Sequence, residues 1–567
     1  MIHVITGFII SAIVLIISLF VNNTKEIVGG RASAPLTKIQ REVAREYSNL
    51  KLPNNKISFN EFCYPKKFKL QNPQKFIAEY MAPSTNHMNL LGFWGLGSGK
   101  SCGILQVTEQ WTSKGRPLVV MPASLVGNFL NEMRGPCCDW KYISKEESDE
   151  LQTLHPRTPR YKEIIKRSND LIFSKYDIMS YNKFAEEYKK LDPVILAIDE
   201  THNILNQSGS YHKKFIKFIS ARPKMRVMCM SATPIFDNPF ELISILKILR
   251  QDVTEDILFD KDLLKKKLDG LISFYKGAPD VAYPKTTIHY EICQMSKFQT
   301  RWFKSEVEAD VKRSGGVKLH GVTNNFYSKS RARSNICFPQ GLAPTYGVNK
   351  LTKNMIREKL NTYSCKFARL IKKLRKGQLS FIYSNFSNLG GIKTLVKVLK
   401  SFGYLDYKSE GKGPKYAIFS GEETAAEKDA IRKIYNSEEN DDGSLIQVII
   451  GSPATREGIS FLRCRQVHIL DPYWNYSRLA QIIGRAVRVC SHRSLPKRER
   501  TVDVYFYIAV THNSGITKNN FVSKHEIKSS LSVDGYILKL AEKKRAENDK
   551  IIEIMIDSAA DKQLSQK

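Results

Sequence analysis

At 567 residues the chain is long enough for about three to four domain-sized units. With 42% hydrophobic and 25% charged residues it has the make-up of an ordinary globular protein rather than a fibrous or disordered one. Its 88 lysines and arginines outweigh 56 aspartates and glutamates to leave a formal charge of +32, which argues against an acidic or neutral partner and for a polyanion, nucleic acid first. A generally basic or membrane-facing surface is the plainer alternative. Ten cysteines lie scattered with no Cys-x-x-Cys and no paired metal spacing, so they read as reduced, mostly buried thiols and support no structural zinc. The adjacent Cys137-Cys138 reads as part of a loop, with a redox pair as the alternative.

In chain order, Val4 to Val21 is an uncharged apolar run that can just cross a bilayer, and residues 1–22 read as a transmembrane anchor. No Lys or Arg precedes the run, and Ala32-Ser33-Ala34 stands well beyond it before Pro35, which argues against a cleaved signal peptide. Lys25, Arg31, Lys38 and Arg41 follow and would keep the body cytosolic; a short buried helix, or a start of the frame that the working protein does not need, is the alternative. Residues 23–67 read as a linker with one helix around Thr37 to Asn49. From 68 to 254 short apolar runs alternate with helix-length stretches: Pro117–Met121, Asp170–Phe173, Val194–Ile198 and Val227–Met230. That pattern predicts a parallel sheet covered on both faces, with ligands at the carboxyl ends of its strands. A basic, aromatic-rich stretch at 255–370 reads as a partly helical insertion. Between 371 and 515 a second α/β sheet is predicted from Leu379–Ser384, Tyr416–Ser420, Val448–Ser452, Val467–Leu470 and Val502–Tyr507. The tail, 516–567, carries apolar residues amid charges and reads as amphipathic helix.

Gly95-Leu96-Gly97-Ser98-Gly99-Lys100-Ser101 follows the apolar Leu90–Phe93 and has the composition of a phosphate cradle. The glycines let backbone N–H groups converge on phosphate oxygens, Lys100 supplies a point charge, and the Ser101 hydroxyl can ligate Mg²⁺. Trp94 stands where the strict pattern has its first glycine. Asp199-Glu200-Thr201-His202 follows a predicted strand, where ATP hydrolysis needs one carboxylate for Mg²⁺ (Asp199) and one to orient the attacking water (Glu200); His202 would link this loop to the neighbouring lobe. An Asp-Glu pair capping the next helix is the plain alternative. In Gln481–Arg488 the guanidiniums of Arg485 and Arg488, three residues apart on a predicted helix, could reach the γ-phosphate; surface ion pairing is the alternative.

These segments, in order over most of 68–510, resemble the superfamily 2 helicase-like ATPases. The pieces are Gln74 in Leu70-Gln71-Asn72-Pro73-Gln74, the loop 95–101, Pro122-Ala123-Ser124-Leu125, Asp199–His202, Ser231-Ala232-Thr233-Pro234, Ser452–Ile459 and Gln481–Arg488. The resemblance implies two tandem RecA-like lobes with ATP and Mg²⁺ between them. It assigns Gln74 to adenine recognition, Gly95, Leu96, Gly97, Ser98, Gly99, Lys100 and Ser101 to the phosphates, and Ser101 and Asp199 to the metal. Ser231, Ala232 and Thr233 would couple hydrolysis to domain motion, Gly458 would sense nucleotide and strand together, and Gln481, Arg485 and Arg488 would face the γ-phosphate.

A narrower likeness lies in Arg465–Asn475, Arg488–His492, Leu495-Pro496, Ser532–Ile537 and Asp557–Asp561. These resemble the helicases of nucleocytoplasmic large DNA viruses, a group that includes the poxvirus nucleoside triphosphate phosphohydrolase I and the small subunit of the poxvirus early transcription factor. That likeness implies a translocase of viral transcription acting on DNA more than RNA, alongside viral RNA polymerase or other transcription factors, in the virion and host cytoplasm. A nucleotide-regulated clamp on promoter DNA or polymerase, and a membrane-tethered virion component, are the alternatives. Strand contacts would run mainly to phosphates, from helix starts near Ser124 and Thr455 and from the basic insertion. Trp94 and the apolar run at 4–21 depart from the family pattern.

Overall fold

The computed structural model describes residues 35–51, 57–205, 209–314, 326–388, 390–456 and 459–565. They divide into two compact units, one drawn from Ile27–Pro279 with Glu547–Lys567 and one from Asp280–Ala546. The first holds a six-stranded parallel sheet in the order β3-β2-β4-β5-β1-β6. Its strands are β1 (Asn89–Trp94), β2 (Leu118–Met121), β3 (Asp177–Ser180), β4 (Ile195–Asp199), β5 (Arg226–Ser231) and β6 (Ile272–Tyr275). Neighbouring residues along each strand point to opposite faces. Leu91, Val120, Ile198 and Cys229 join one apolar cluster with Phe215, Phe218 and Leu242. Leu90, Val119, Ala197 and Met228 join another with Ile104, Leu105 and Phe129. Burial on both faces is why these strands read as continuous apolar runs.

One predicted strand is a helix. Asp170–Phe173 lies inside the helix Pro159–Lys175, and the third strand is Asp177–Ser180 instead. Thr158 caps that helix by accepting from Tyr161 N–H, and Pro159 takes its first position, where its missing N–H costs nothing. Ile164, Ser168 and Ile172, four residues apart, form the buried face, whereas Leu171 and Phe173 are 40% and 41% exposed. A four-residue apolar run carries no period of its own, and here the 3.6-residue repeat of its flanks prevails.

The second unit holds a seven-stranded parallel sheet in the order β7-β13-β12-β8-β11-β10-β9. Its strands are β7 (Lys285–Gln294), β8 (Ser380–Tyr383), β9 (Leu405–Asp406), β10 (Lys415–Phe419), β11 (Val448–Gly451), β12 (Gln466–Ile469) and β13 (Thr501–Val510). β7 runs beside β13 in register from Lys285↔Thr501 to Gln294↔Val510. The stretch 255–370, expected as a basic, partly helical insertion, carries the helices Lys297–Ser314, Ser328–Asn335, Pro344–Lys350 and Lys353–Tyr363, and before them supplies an edge strand to each sheet, β6 and β7. The Lys366 ammonium is buried 2.7 Å from Asp534 Oδ2 and donates to Leu470 O and Asn335 Oδ1. It thereby fixes the start of the long tail helix Val533–Asp557 to this unit.

The linker helix expected around Thr37 to Asn49 spans Lys38–Glu46, with Thr37 and Gln40 forming a reciprocal cap. The cysteine reading needs correction at Cys102 and Cys137. They form a disulfide, because the helix Lys100–Glu109 packs on the turn Pro136–Cys138, a proximity that a separation of 35 positions conceals. Cys138, Cys229, Cys293, Cys337, Cys365 and Cys464 are buried thiols, as expected. The apolar run at 4–21 lies outside the described residues, among which no helix is long and apolar enough to cross a membrane.

Candidate active site

The carboxyl ends of β1, β4 and β5 carry the predicted chemistry of the first unit. β1 ends at Trp94, the loop follows, and a helix starts at Lys100. Gly97 and Gly99 adopt φ of 70° and 76°, the left-handed region that glycine enters without cost. Gly95 is required for a different reason: a Cβ there would lie 2.1 Å from Lys276 O. Gln74 Nε2 donates to Gly99 O (3.1 Å) while its Oε1 accepts from Gln71 N–H (2.8 Å), so this buried amide braces the loop and caps its own helix. Lys100 Nζ lies 3.5 Å from Gly95 O, across the mouth of the loop. Ser98 Oγ is buried without a partner among the described residues, and an orphaned hydroxyl in such a cradle calls for a ligand oxygen or water.

At the end of β4, Asp199 is almost wholly buried. Burial and the neighbouring Glu200 push its carboxyl up to about 7, against the pull of the Lys100 ammonium and the Glu200 N–H that it accepts at 2.9 Å. Glu200 itself sits at φ 51°, a left-handed conformation unusual for a side chain of this size. Tyr181 holds that turn, its hydroxyl donating to Asp199 O and to Glu200 O. Thr201 Oγ1 donates to Ile198 O and to Met230 O, tying the loop to β5. His202 lies 3.4 Å from Glu200 Oε2 and 3.2 Å from Ser231 Oγ, stacked on Phe236. Ser231 Oγ also accepts Thr233 N–H at 3.1 Å. These bonds of His202 therefore join the acidic loop to Ser231-Ala232-Thr233 within one unit. Thr233 Oγ1 is likewise a buried hydroxyl with no partner among the described residues.

Those groups fit a metal-bound triphosphate. Paired carboxylates beside one ammonium favour a hard cation, and the hydroxyl of Ser101 with the carboxylate of Asp199 is an all-oxygen donor set of the kind Mg²⁺ takes. Tyr181 and Glu241 were not foreseen, and Thr201 stood in the motif without a role. Glu241 is half-buried and accepts Asp237 N–H at 3.0 Å, shaping the loop after Thr233.

In the second unit the helix Tyr476–Ile483 ends before the arginines, so Arg485 and Arg488 sit on the turn that follows it and not on the helix face expected for them. Their guanidiniums still converge: Arg485 Nη1 donates to Ile459 O (3.0 Å) and Arg488 Nη1 to Ser460 Oγ, while Arg485 Nε bonds Gln481 O. Gly458, next to that point, lies outside the described residues. Thr455 Oγ1 donates to Ser452 O at 2.6 Å, closing the turn after β11.

Two parallel-sheet α/β units, one with a glycine-rich loop whose Lys100 charge acts on the buried Asp199 beside a half-buried Glu200, have the make-up of a nucleotide hydrolase. Residues 56–340 match the SNF2-related domain and residues 365–490 the helicase conserved C-terminal domain. A putative ATP-dependent RNA helicase of Acanthamoeba polyphaga mimivirus is 36% identical over 499 residues, covering 82% of this chain and 87% of that one. Nucleoside triphosphatase I of Heliothis armigera entomopoxvirus is 27% identical over 517 residues, covering 78% and 74%. Some other relatives are longer, and the chain spans about half of their length. Among solved structures, the Pyrococcus furiosus Hef helicase domain aligns at a TM-score of 0.40 and 12% identity, over 80% of this chain and 97% of that one. The chain belongs to the SNF2-related, superfamily 2 helicase-like ATPases, alongside helicases of large DNA viruses and poxvirus nucleoside triphosphatase I. It is an ATP hydrolase.

Proposed function

We propose that the chain is a nucleic-acid-dependent translocase that hydrolyses MgATP during viral transcription on DNA. The observation that carries this reading is the Asp199–Glu200 pair, held in a strained turn beside Lys100 and bonded through His202 to Ser231. In the proposed division of labour Lys100 and the loop N–H groups bind the β- and γ-phosphates, Ser101 and Asp199 hold Mg²⁺, and Glu200 orients the attacking water. A bound Mg²⁺ would neutralise charge on the phosphate oxygens. His202 reports the state of that turn to Ser231 and Thr233, and Arg485 and Arg488 keep the role the resemblance implies for them, charge stabilisation at the γ-phosphate. The surplus of basic residues supports a polyanionic track. A virion and cytoplasmic setting rests on the viral relatives, and a tether at residues 4–21 rests on hydropathy alone.

ATP turnover of purified protein, measured alone and with single- and double-stranded DNA and RNA, tests the proposal. Stimulation greatest with DNA is expected. Turnover indifferent to every nucleic acid would leave an ATPase and remove the translocase. Binding of DNA without stimulation would favour the clamp.

A further inference from the structure

Two features of the sequence find no place in the chemistry above: Trp94, where the phosphate-loop pattern has a glycine, and the closing Asp557–Asp561. The structure joins them. The Trp94 indole is fully buried, meets Tyr275 edge-on at 5.7 Å, and packs where the facing helix offers Gly103, whose added Cβ would come to 3.0 Å from the ring. Its Nε1–H donates to Ser273 Oγ at 3.0 Å. Ser273 Oγ donates to Asp561 Oδ2 at 2.6 Å, and Phe274 N–H donates to Asp561 Oδ1 at 2.8 Å. A line of bonds thus runs from the strand that feeds the phosphate loop, through the edge strand β6, to the C-terminal segment.

The segment is clamped in place. Ala560 N–H donates to Ile272 O at 2.7 Å, and the Gln40 amide of the linker helix donates to Asp557 O and Ala559 O. The phosphate loop leans on the same strand from its other side. Gly95 N–H donates to Tyr275 O at 2.9 Å, and a Cβ at Gly95 would collide with Lys276 O while one at Gly277 would come to 3.2 Å from Leu96 O. Where β6 sits therefore sets where Gly95 and Leu96 sit. A carboxyl as buried as Asp561, 2% exposed, is costly unless its bonds repay it.

We propose that Asp561 is a positioning residue of the ATP site, which fixes β6 through Ser273 and Phe274, holds the Trp94 indole through Ser273, and so sets the geometry of the phosphate loop. The C-terminal segment then completes the nucleotide-binding unit rather than trailing from it. The proposal rests on the reading of residues 95–101 as the triphosphate site.

The test uses the full chain carrying Asp561→Ala, Asp561→Asn, Ser273→Ala, Trp94→Phe, or Trp94→Phe with Asp561→Ala. KM for ATP, kcat, affinity for a fluorescent ADP analogue and melting temperature are measured for each. Asp561→Ala is expected to raise KM and weaken the analogue by about tenfold, more than it lowers kcat, since misplaced binding groups cost affinity before chemistry. Asp561→Asn should fall between it and the parent, because its amide oxygen still accepts from Phe274. The double variant should be no weaker than Asp561→Ala alone, as expected for members of one network. A lower melting temperature with KM and analogue affinity unchanged, or independent effects that multiply, would overturn the proposal. If Asp561→Ala does not fold, Ser273→Ala and Trp94→Phe decide: parental analogue affinity in both overturns it. Parental protein that fails to bind the analogue, or that binds it equally well after Lys100→Ala, would instead remove the phosphate-loop reading beneath.

Discussion

Asp199 and Glu200 form a carboxylate pair whose state depends on what lies beside it. Asp199 titrates near 7 in the nucleotide-free protein, above its ordinary 3.8, because burial and the Glu200 charge outweigh Lys100. For a carboxyl raised on folding, the stabilising contribution is full below the unfolded value and is lost as pH rises toward the folded one. Asp199→Asn should therefore raise the melting temperature relative to parent more at pH 8 than at pH 5.5. An equal difference at both would place the charge of Asp199 elsewhere. Glu241 and Asp561 also titrate near 7, so the comparison with the variant, rather than the parental slope, isolates Asp199. Lys100→Ala should abolish tight nucleotide binding, read as loss of thermal stabilisation by MgADP. At this scale the loop 95–101 was legible because Gly97 and Gly99 answer to a local need, positive φ, whereas the close approach of Gly95 to Lys276 belongs to the fold. Tyr181 and Asp561 were not, because each acts on groups that only the fold brings near, and Glu241, although it bonds Asp237 four positions away, stands in no motif that singles it out.

Among elements, most buried parallel strands announced themselves as apolar runs bounded by glycine, proline or charge, but β6, Ile272–Tyr275, was passed over inside a stretch read as an insertion. Asp170–Phe173 misled because its four apolar-rich positions continue a helix already capped at Thr158. β7 escaped because only Ile288, Tyr290, Glu291 and Cys293 of Lys285–Gln294 are buried, so polar residues interrupt its apolar run. The tail helix was visible in its periodicity, but its anchorage was not: Lys366 and Asp534 pair inside the second unit with both side chains sealed from solvent. Burial raises the Asp534 carboxyl pKa and Lys366 opposes that rise. Removing one partner strands the other, so Lys366→Met should cost about 3–5 kcal/mol of unfolding free energy by denaturant titration. A loss below about 1 kcal/mol would show that Asp534 is protonated or hydrated when alone.

For the whole molecule, the +32 charge predicts binding dominated by phosphate contacts. Affinity for duplex DNA should fall linearly in log–log form with salt, by a slope of about −0.9 for each phosphate engaged, and should vary little with base sequence. A flat salt response would point to contacts of another kind. The order of motifs along the chain made two α/β units legible, since five of them, starting at Gly95, Pro122, Asp199, Ser231 and Ser452, stand at or just after a strand end. The contribution of the C-terminal residues to the first unit was hidden, because no pattern in 547–567 signals a partner some three hundred positions earlier.

The measurement that bears most directly on the account is steady-state ATP turnover with and without duplex DNA for the parent and for Glu200→Gln. The parent should hydrolyse ATP and be stimulated several-fold, while the variant, still binding nucleotide, should lose at least about 100-fold in kcat with or without DNA. Turnover by Glu200→Gln at the parental rate would contradict the assignment of the Asp199–Glu200 turn as the site of hydrolysis.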